Sequence, residues 1–459
     1  MVATLHKDQA AQTATDNVIL MSSDCHIGPL VEDLRQYTPK EHLEAFDAFA
    51  AEHVKARDAV EQGMGRFLNG DAELPDEIRK QMDANPEMAR MIRSAAQMAK
   101  NRNTPGHHDM DVRVKDMDND GLTAEILFHG SQNGEPIPFI AGHQPGAGLT
   151  TPFTFEGVDF EMAYVGMHAY NEWLADAVSI QPERHAGLCY IPAWDPELSA
   201  EEVQWAFERG LRGVNFPAWR PGMPVLQDEA WDRFYAVVNE TKMPLTNHGG
   251  AGDDRVWPED EAVALRFMES AYHSKRLIWS LGFHGVFDSY PNVKLVISEI
   301  PGDWWPALMK EMDSVHGQGA LRGGRRPSEW AATNVFHGAT FLSRDEARDA
   351  VVQGYWGNVC WGSDYPHLEG TWQYDETGEL EPQTHLSLRD TFAGLPEEPI
   401  RAMAGRTLAE VFGMEMPKLQ EVANRIAAPS MEEINTPLDD ADVPEIHGMF
   451  AFRRIGAWS

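Results

Sequence analysis

The sequence predicts an α/β fold, a distorted (β/α)8 TIM barrel, on three observations. Eight short apolar runs are bounded by turn residues, longer stretches of helical periodicity separate them, and polar side chains close several of the runs. In chain order the runs are "NVILMS" (17–22), "TAEILFH" (123–129), "HAGLCYI" (185–191), "GVNFP" (213–217), "MPLTNH" (243–248), "VKLVISE" (293–299), "NVFHGAT" (334–340) and "VCWGSD" (359–364). Each is four to eight residues long and rich in β-branched or aromatic residues, as a strand buried on both faces requires.

The barrel is expected over residues 1–414. Between its first and second runs lies far more chain than one crossover helix needs. There "EHLEAFDAFAAEHVKARDAVEQGMGRFL" and "PDEIRKQMDANPEMARMIRSAAQMAKNR" repeat apolar residues at helical spacing, so an α-helical insertion after strand 1, about 30–110, is expected as a lid or oligomer contact. "DMDVRVKDMDNDG" (109–121) returns the chain to the barrel. Its aspartates lack the Glu that closes a calcium loop and read as helix-end charge. Residues 415–459 form a C-terminal extension that wraps the barrel or a neighbouring subunit.

The 459 residues carry 38 Lys+Arg against 72 Asp+Glu, a net charge of −34 that repels phosphate backbones and anionic membranes. No nucleic acid and no membrane partner is expected. Three scattered cysteines, Cys25, Cys189 and Cys360, exclude a disulfide framework and suit small core positions in a reducing compartment. With no apolar signal core in the first residues and no run of about 20 apolar residues, a cytoplasmic protein is expected.

Active sites of such barrels gather at the C-terminal ends of the strands. Four runs end in metal-binding side chains: the first in Asp24-Cys25-His26, the fifth in His248, the sixth in Glu299, the eighth in Asp364. Alternation in a strand sends Asp24 and His26 to one side and Cys25 to the other. Carboxylate and imidazole donors suit Zn²⁺, Mn²⁺ or Fe²⁺. By the same rule His129 and His337, close behind their strand cores, fall in the pocket and offer donors for a second metal. His284 lies in the crossover before the sixth run and reaches the chemistry only if its helix folds over the mouth. His367, just past Asp364, orients that carboxylate or touches substrate, and Trp304 with Trp305 supplies an aromatic wall or a packing anchor. His107 and His108 read as exposed linker residues.

These pieces together resemble the amidohydrolase superfamily, in its branch of aminocarboxymuconate-semialdehyde decarboxylase-like enzymes. The resemblance is carried by Asp24-Cys25-His26, "RVKDMDNDGLTAEILF" (113–128), "MPLTNHGG" (243–250), "GVFDSYPNVKLVISEIPGDWWP" (285–306), "GSDYPH" (362–367) and "GRTLAEVFGM" (405–414). It implies Asp24, His26, His248 and Asp364 as ligands of one divalent metal, zinc by preference with manganese or iron as alternatives. Glu299 stands where many members carry His, and serves there as base or further ligand; His284 is the other catalytic candidate. The expected activity is metal-dependent hydrolysis of a small amide, lactone or aromatic acid through an activated water. Alternatives are non-oxidative decarboxylation of an aromatic or dienoic acid, a dinuclear iron-dependent oxygenase, and a non-catalytic barrel subunit of a hetero-oligomer. A homo-oligomer, dimer or higher, acting on a small molecule is expected.

Overall fold

In the computed structural model the described residues are 17–68, 80, 85, 101–102, 104–140, 158–219, 221–249, 262–300, 302–316, 318, 324–340, 342–367, 369–373, 383–426, 428–444, 447–448 and 450–455. Eight parallel strands stand in sequence order: β1 (Met21–Ile27), β2 (Ala124–His129), β3 (His185–Tyr190), β4 (Gly213–Asn215), β5 (Leu245–His248), β6 (Leu295–Ser298), β7 (Val335–Thr340) and β8 (Val359–Gly362). Each pairs with the next in parallel register. The ring closes just beyond β8, where the Asp364 amide donates to the Asp24 carbonyl (2.8 Å) and the His26 amide to the Tyr365 carbonyl (2.7 Å). Two of the polar strand ends read from the sequence are therefore backbone neighbours at the seam.

The principal helices are α1 (Leu43–Leu68), α2 (Met110–Asp120), α3 (Phe160–Val178), α4 (Pro196–Glu208), α5 (Asp232–Thr241), α6 (Ala262–His284), α7 (Trp304–His316), α8 (Pro327–Asn334), α9 (Arg344–Gln353), α10 (Gln383–Phe392) and α11 (Met416–Arg425). Asp109, Asp159 and Asp195 cap α2, α3 and α4 by accepting the second and third amides of each helix.

Strand alternation divides the core in two. Ile19, Met21, Ala124, Ile126, Phe128, Ala186, Leu188, Val296, Phe336 and Cys360 face the barrel axis, where Leu408, Phe412 and, from α11, Leu419 and Ala423 join them. Their neighbours Cys25, Leu127, Cys189, Val214, Leu245, Leu295, Ile297, Val335 and Trp361 face outward into the helical layer. All three cysteines are buried and free, as small core residues.

β1 breaks this alternation where the site needs it. Met21 points to the axis, so a regular strand would turn Asp24, three residues on, toward the helices. The register with β2 shifts between Ser22 and Cys25. Ser22 Oγ stabilises the irregularity, donating to the Asp24 carbonyl (2.7 Å) and accepting from the Asp24 and Ser363 amides. Beyond it Cys25 and Ile27 are outward, and Asp24 and His26 face the axis. The strand also runs five residues past the apolar run that announced it.

Behind β1 and β2 lies an ion network with no exposure to solvent. Arg113 of α2 grips Glu125 of β2 through two bonds of 2.7 Å and donates to the His26 carbonyl (2.8 Å) and the Gly106 carbonyl (3.1 Å). His185 Nδ1 lies 2.9 Å from Glu125 Oε1, the oxygen that Arg113 Nε also bonds. Burial alone raises a carboxyl pKa, but the guanidinium wins and holds Glu125 at about 2.

The first helical stretch of the insertion is α1. It is tied to the segment after β2 by Arg57 and His53, which contact the buried Glu135 at 2.6 and 3.2 Å. Most of the second stretch lies outside the described residues. His107 is buried rather than exposed: its Nε2 lies 3.0 Å from the Asn101 carbonyl, and desolvation drives its pKa down to about 3. Among the described residues no helix is long and apolar enough to cross a membrane.

Candidate metal centre

The layer beneath the strand ends is built from small side chains. Gly338 and Gly362 abut Ser23, Ser298 Oγ donates to the Ser23 carbonyl, and an added Cβ on Gly362 would lie 3.3 Å from Asp24 Cβ. This leaves room for Asp24 and His26 to project inward side by side.

Asp24, His26 and His248 each offer a ligand atom within 4.8 Å of the others, and so do His26, Asp364 and His367. The four ligands implied by the resemblance do not form one group at that span; His26 joins the two trios. His26 Nε2 lies 3.1 Å from Asp24 Oδ1 and 3.3 Å from Asp364 Oδ1, and His248 Nε2 lies 3.5 Å from Asp24 Oδ1. None of these approaches has hydrogen-bond alignment. His26 Nε2, His248 Nε2 and Asp364 Oδ2 are buried without a hydrogen-bond partner, an arrangement that costs several kcal/mol unless a cation satisfies it. The opposite ring nitrogens are held by backbone: His248 Nδ1 by the Gly249 carbonyl (2.7 Å), His26 Nδ1 by the His129 carbonyl (3.4 Å). Anchored in this way, each imidazole turns its Nε2 lone pair to the carboxylates. Two oxygen and two nitrogen donors fit a divalent ion.

His367 stacks on His26 at 3.9 Å, contacts Asp364 Oδ1 through Nδ1 (2.9 Å) and bonds the Gly130 carbonyl through Nε2 (2.9 Å). Burial disfavours its charge, yet Asp364 raises its pKa to about 10, while His367 and His26 hold Asp364 far below the carboxylate range despite its burial. Asp364 and Glu299 both adopt left-handed backbone, φ 57° and 54°. Such conformations cost about 1–3 kcal/mol each and persist where surrounding contacts over-determine them. Glu299 Oε2 lies 3.3 Å from His248 Nδ1 with 23% of its side chain exposed. Desolvation, opposed by His248 and reinforced by Asp364 and Asp24, pushes its pKa to about 8.

Two expectations are corrected by strand direction. His129 and His337 follow axis-facing Phe128 and Phe336, so both point into the helical layer rather than the pocket. His129 meets the Tyr170 ring at 5.1 Å. His337 lies 5.2 Å from Trp305 and 5.0 Å from Trp304, and burial lowers its pKa to about 3. Neither belongs to either group of ligand atoms, so the second metal site of the oxygenase alternative gains no donor from them. Trp304, stacked beneath Lys275 (4.8 Å), is a packing anchor for this layer rather than a pocket wall. His284 is removed as well. Ser274 of α6 donates to the His248 carbonyl (3.4 Å), and His284 follows ten helical residues later, roughly 15 Å toward the barrel bottom.

Phe128, absent from the sequence-based candidates, is an aromatic side chain packed against two of the ligand imidazoles. Its ring lies 5.8 Å from that of His26 and 5.2 Å from that of His248. The period-two pattern of "AEILFH" carried that signal, since Phe128 shares the parity of Ala124 and Ile126.

A family model described as Amidohydrolase matches residues 24–414. The gamma-resorcylate decarboxylase of Polaromonas sp. (strain JS666) is 27% identical over 217 residues, covering 44% of this chain and 59% of that enzyme, less than two thirds of its length. Among solved structures, 5-carboxyvanillate decarboxylase of Novosphingobium aromaticivorans, complexed with manganese and 4-hydroxy-3-methoxy-5-nitrobenzoic acid, aligns with a TM-score of 0.54 at 16% identity, over 88% of this chain and 100% of that one. An amidohydrolase of Mycobacterium avium subsp. paratuberculosis aligns with a TM-score of 0.50 at 19% identity, over 69% and 76% of the two chains. At such identities these alignments speak for the shared barrel.

Proposed function

The chain belongs to the amidohydrolase family, and from that premise we propose that it is a metal-dependent decarboxylase, releasing CO2 from a hydroxylated aromatic acid without an oxidant. The observation that carries the reading is a carboxyl group, Glu299, set beside His248 but outside both groups of ligand atoms. A centre with donors for a cation and a separate acid suits a reaction in which a ring carbon gains a proton as its carboxylate leaves. The gamma-resorcylate decarboxylase relative supports decarboxylation over hydrolysis.

Asp24, His26, His248 and Asp364 would hold the ion, and manganese is suggested by the decarboxylase of Novosphingobium aromaticivorans, which was solved with that metal. When bound, a divalent ion supplies a Lewis acid for the carboxylate and neighbouring hydroxyl oxygens of the substrate. Phe128 packs against one face of the aromatic ring. His367 keeps Asp364 oriented through the 2.9 Å contact at Oδ1. Glu299 delivers the proton from a carboxyl oxygen to the ring carbon; the C–C bond breaks, its electron pair takes the proton, and CO2 departs. The departing CO2 and the proton gained balance the reaction.

The test is incubation of the Mn²⁺-loaded chain with 2,6-dihydroxybenzoate and 5-carboxyvanillate in D2O. Expected are CO2 and a phenol carrying one deuterium at the vacated carbon, with Glu299→Gln slower by about 10²–10⁴-fold. Cleavage of an amide or lactone probe with no CO2 from any hydroxybenzoate overturns the reading in favour of hydrolysis.

A further inference from the structure

The two strained acids of the site are held by loops that share one support. Glu299 precedes Gly302, itself at φ +112°, whose amide donates to Glu346 of α9. Glu346 also accepts from the Ser343 amide (2.8 Å), and the guanidinium of Arg453, buried to 1% exposure, donates to it. On the other side, Asp364 is backed by Gly370, so close to the Ser363 carbonyl and Asp364 Cβ that a methyl group there would collide. Gly370 and Glu369 are covered in turn by the C-terminal extension: an added Cβ on Gly448 would strike the Gly370 carbonyl, and the Phe450 amide donates to the Glu369 carbonyl (3.1 Å). Ser387 of α10 and the Asp345 amide bond the Ala451 and Arg454 carbonyls, and Arg454 pairs with Asp390 at 2.9 Å, so this short segment is fastened along its length.

We infer that Gly448 and residues 450–454 of the C-terminal extension act as a strap clamping the β6 and β8 loops, and that Arg453 is a positioning residue for Glu299. The physical reason is the strain. A left-handed Glu or Asp relaxes to ordinary backbone unless its surroundings forbid it, and the contacts at Gly302 and Gly370 are part of those surroundings. Arg453 acts through Glu346 and Gly302, and Gly448 through Gly370; neither touches the ligand atoms. The extension therefore supports the active site although none of its described side chains is among the ligand atoms. A displacement of about 1 Å at a reacting group costs on the order of 10²-fold in rate.

The inference rests on the proposed function only where turnover is read, so its test has an arm independent of substrate. Amide hydrogen exchange and melting are measured on the full-length chain, with Mn²⁺, for wild type, Arg453→Met, Arg453→Lys and Gly448→Ala. The expected result is at least tenfold faster exchange at 299–304 in Arg453→Met and at 363–371 in Gly448→Ala, with β2 and β3 unchanged and Arg453→Lys intermediate. On any substrate turned over, kcat falls about 10- to 100-fold in Arg453→Met while KM changes less than threefold. Exchange that rises only within 447–455, with the two loops as protected as in wild type, overturns the strap whatever the chain's activity. If Arg453→Met does not fold, Gly448→Ala decides alone by the same criterion. Loss of the decarboxylase reading would leave the exchange result standing.

Discussion

Replacing Glu125 by Gln isolates the charge that the barrel hides behind its first two strands. The amide keeps the size of the carboxylate and one acceptor oxygen, but it removes the counter-charge from Arg113, which is fully buried with both bonds to Glu125 at 2.7 Å. Removing one partner of such a pair costs about 3–5 kcal/mol, because the remaining ion is stranded in low dielectric. With an unfolding entropy of about 2.1 cal/mol/K per residue, a chain of 459 residues has about 1 kcal/mol/K. A loss of about 4 kcal/mol then lowers Tm by about 4 °C, read by scanning calorimetry at pH 7. The double variant Arg113→Met with Glu125→Leu should melt closer to wild type than either single change, since no buried charge survives. Because Arg113 also donates to the His26 carbonyl (2.8 Å), Glu125→Gln should weaken Mn²⁺ binding by isothermal titration. A single variant within 1 °C of wild type, or a double variant worse than the sum of the singles, refutes the account.

Asp120 is buried with one oxygen bonded by Thr384 Oγ1 (2.7 Å), and desolvation lifts its pKa to about 7 against about 3.9 in the unfolded chain. The folded state therefore holds the extra proton, and this group's contribution to stability declines as pH rises from about 4 to about 7. Asp120→Asn should flatten the Tm profile across that window and stabilise the protein at pH 8 by up to about 4 kcal/mol; an unchanged profile disproves it. His337→Phe fills the same space among Trp304, Trp305 and Tyr355, so turnover and metal content should stay within about twofold of wild type. A tenfold loss would mean that His337 reaches the pocket after all. Chelation should lower Tm, and Mn²⁺ at about 100 times its Kd should restore about 2.7 kcal/mol, or roughly 3 °C; His248→Ala should abolish that rescue.

Much of the fold was legible because its signals are local. Each of the eight apolar runs contains or overlaps an observed strand, since burial on both faces writes itself as a short uninterrupted run. The acid and imidazole residues at the strand ends were legible for a related reason: in a parallel barrel the end of a strand is the mouth. What misled was facing. His129 and His337 sit as near the mouth as His248, but one residue out of phase, and sequence proximity to a strand end carries no information about phase. Asp24 and His26 show the converse, since only the Ser22 irregularity brings them to the axis.

By itself, then, the order of residues determined that eight strands would form, that they would be parallel, and which donors would crowd one rim. Those outcomes follow from hydrophobic periodicity and chain connectivity, which act over a few residues at a time. The tertiary structure alone decided which of the donors share a space, that Arg113 and Glu125 support His26 from behind, and that a segment some ninety residues beyond Asp364 braces its loop. These depend on register at the β1–β8 seam and on contacts between chain segments hundreds of residues apart, and such contacts are fixed by packing rather than by any local pattern.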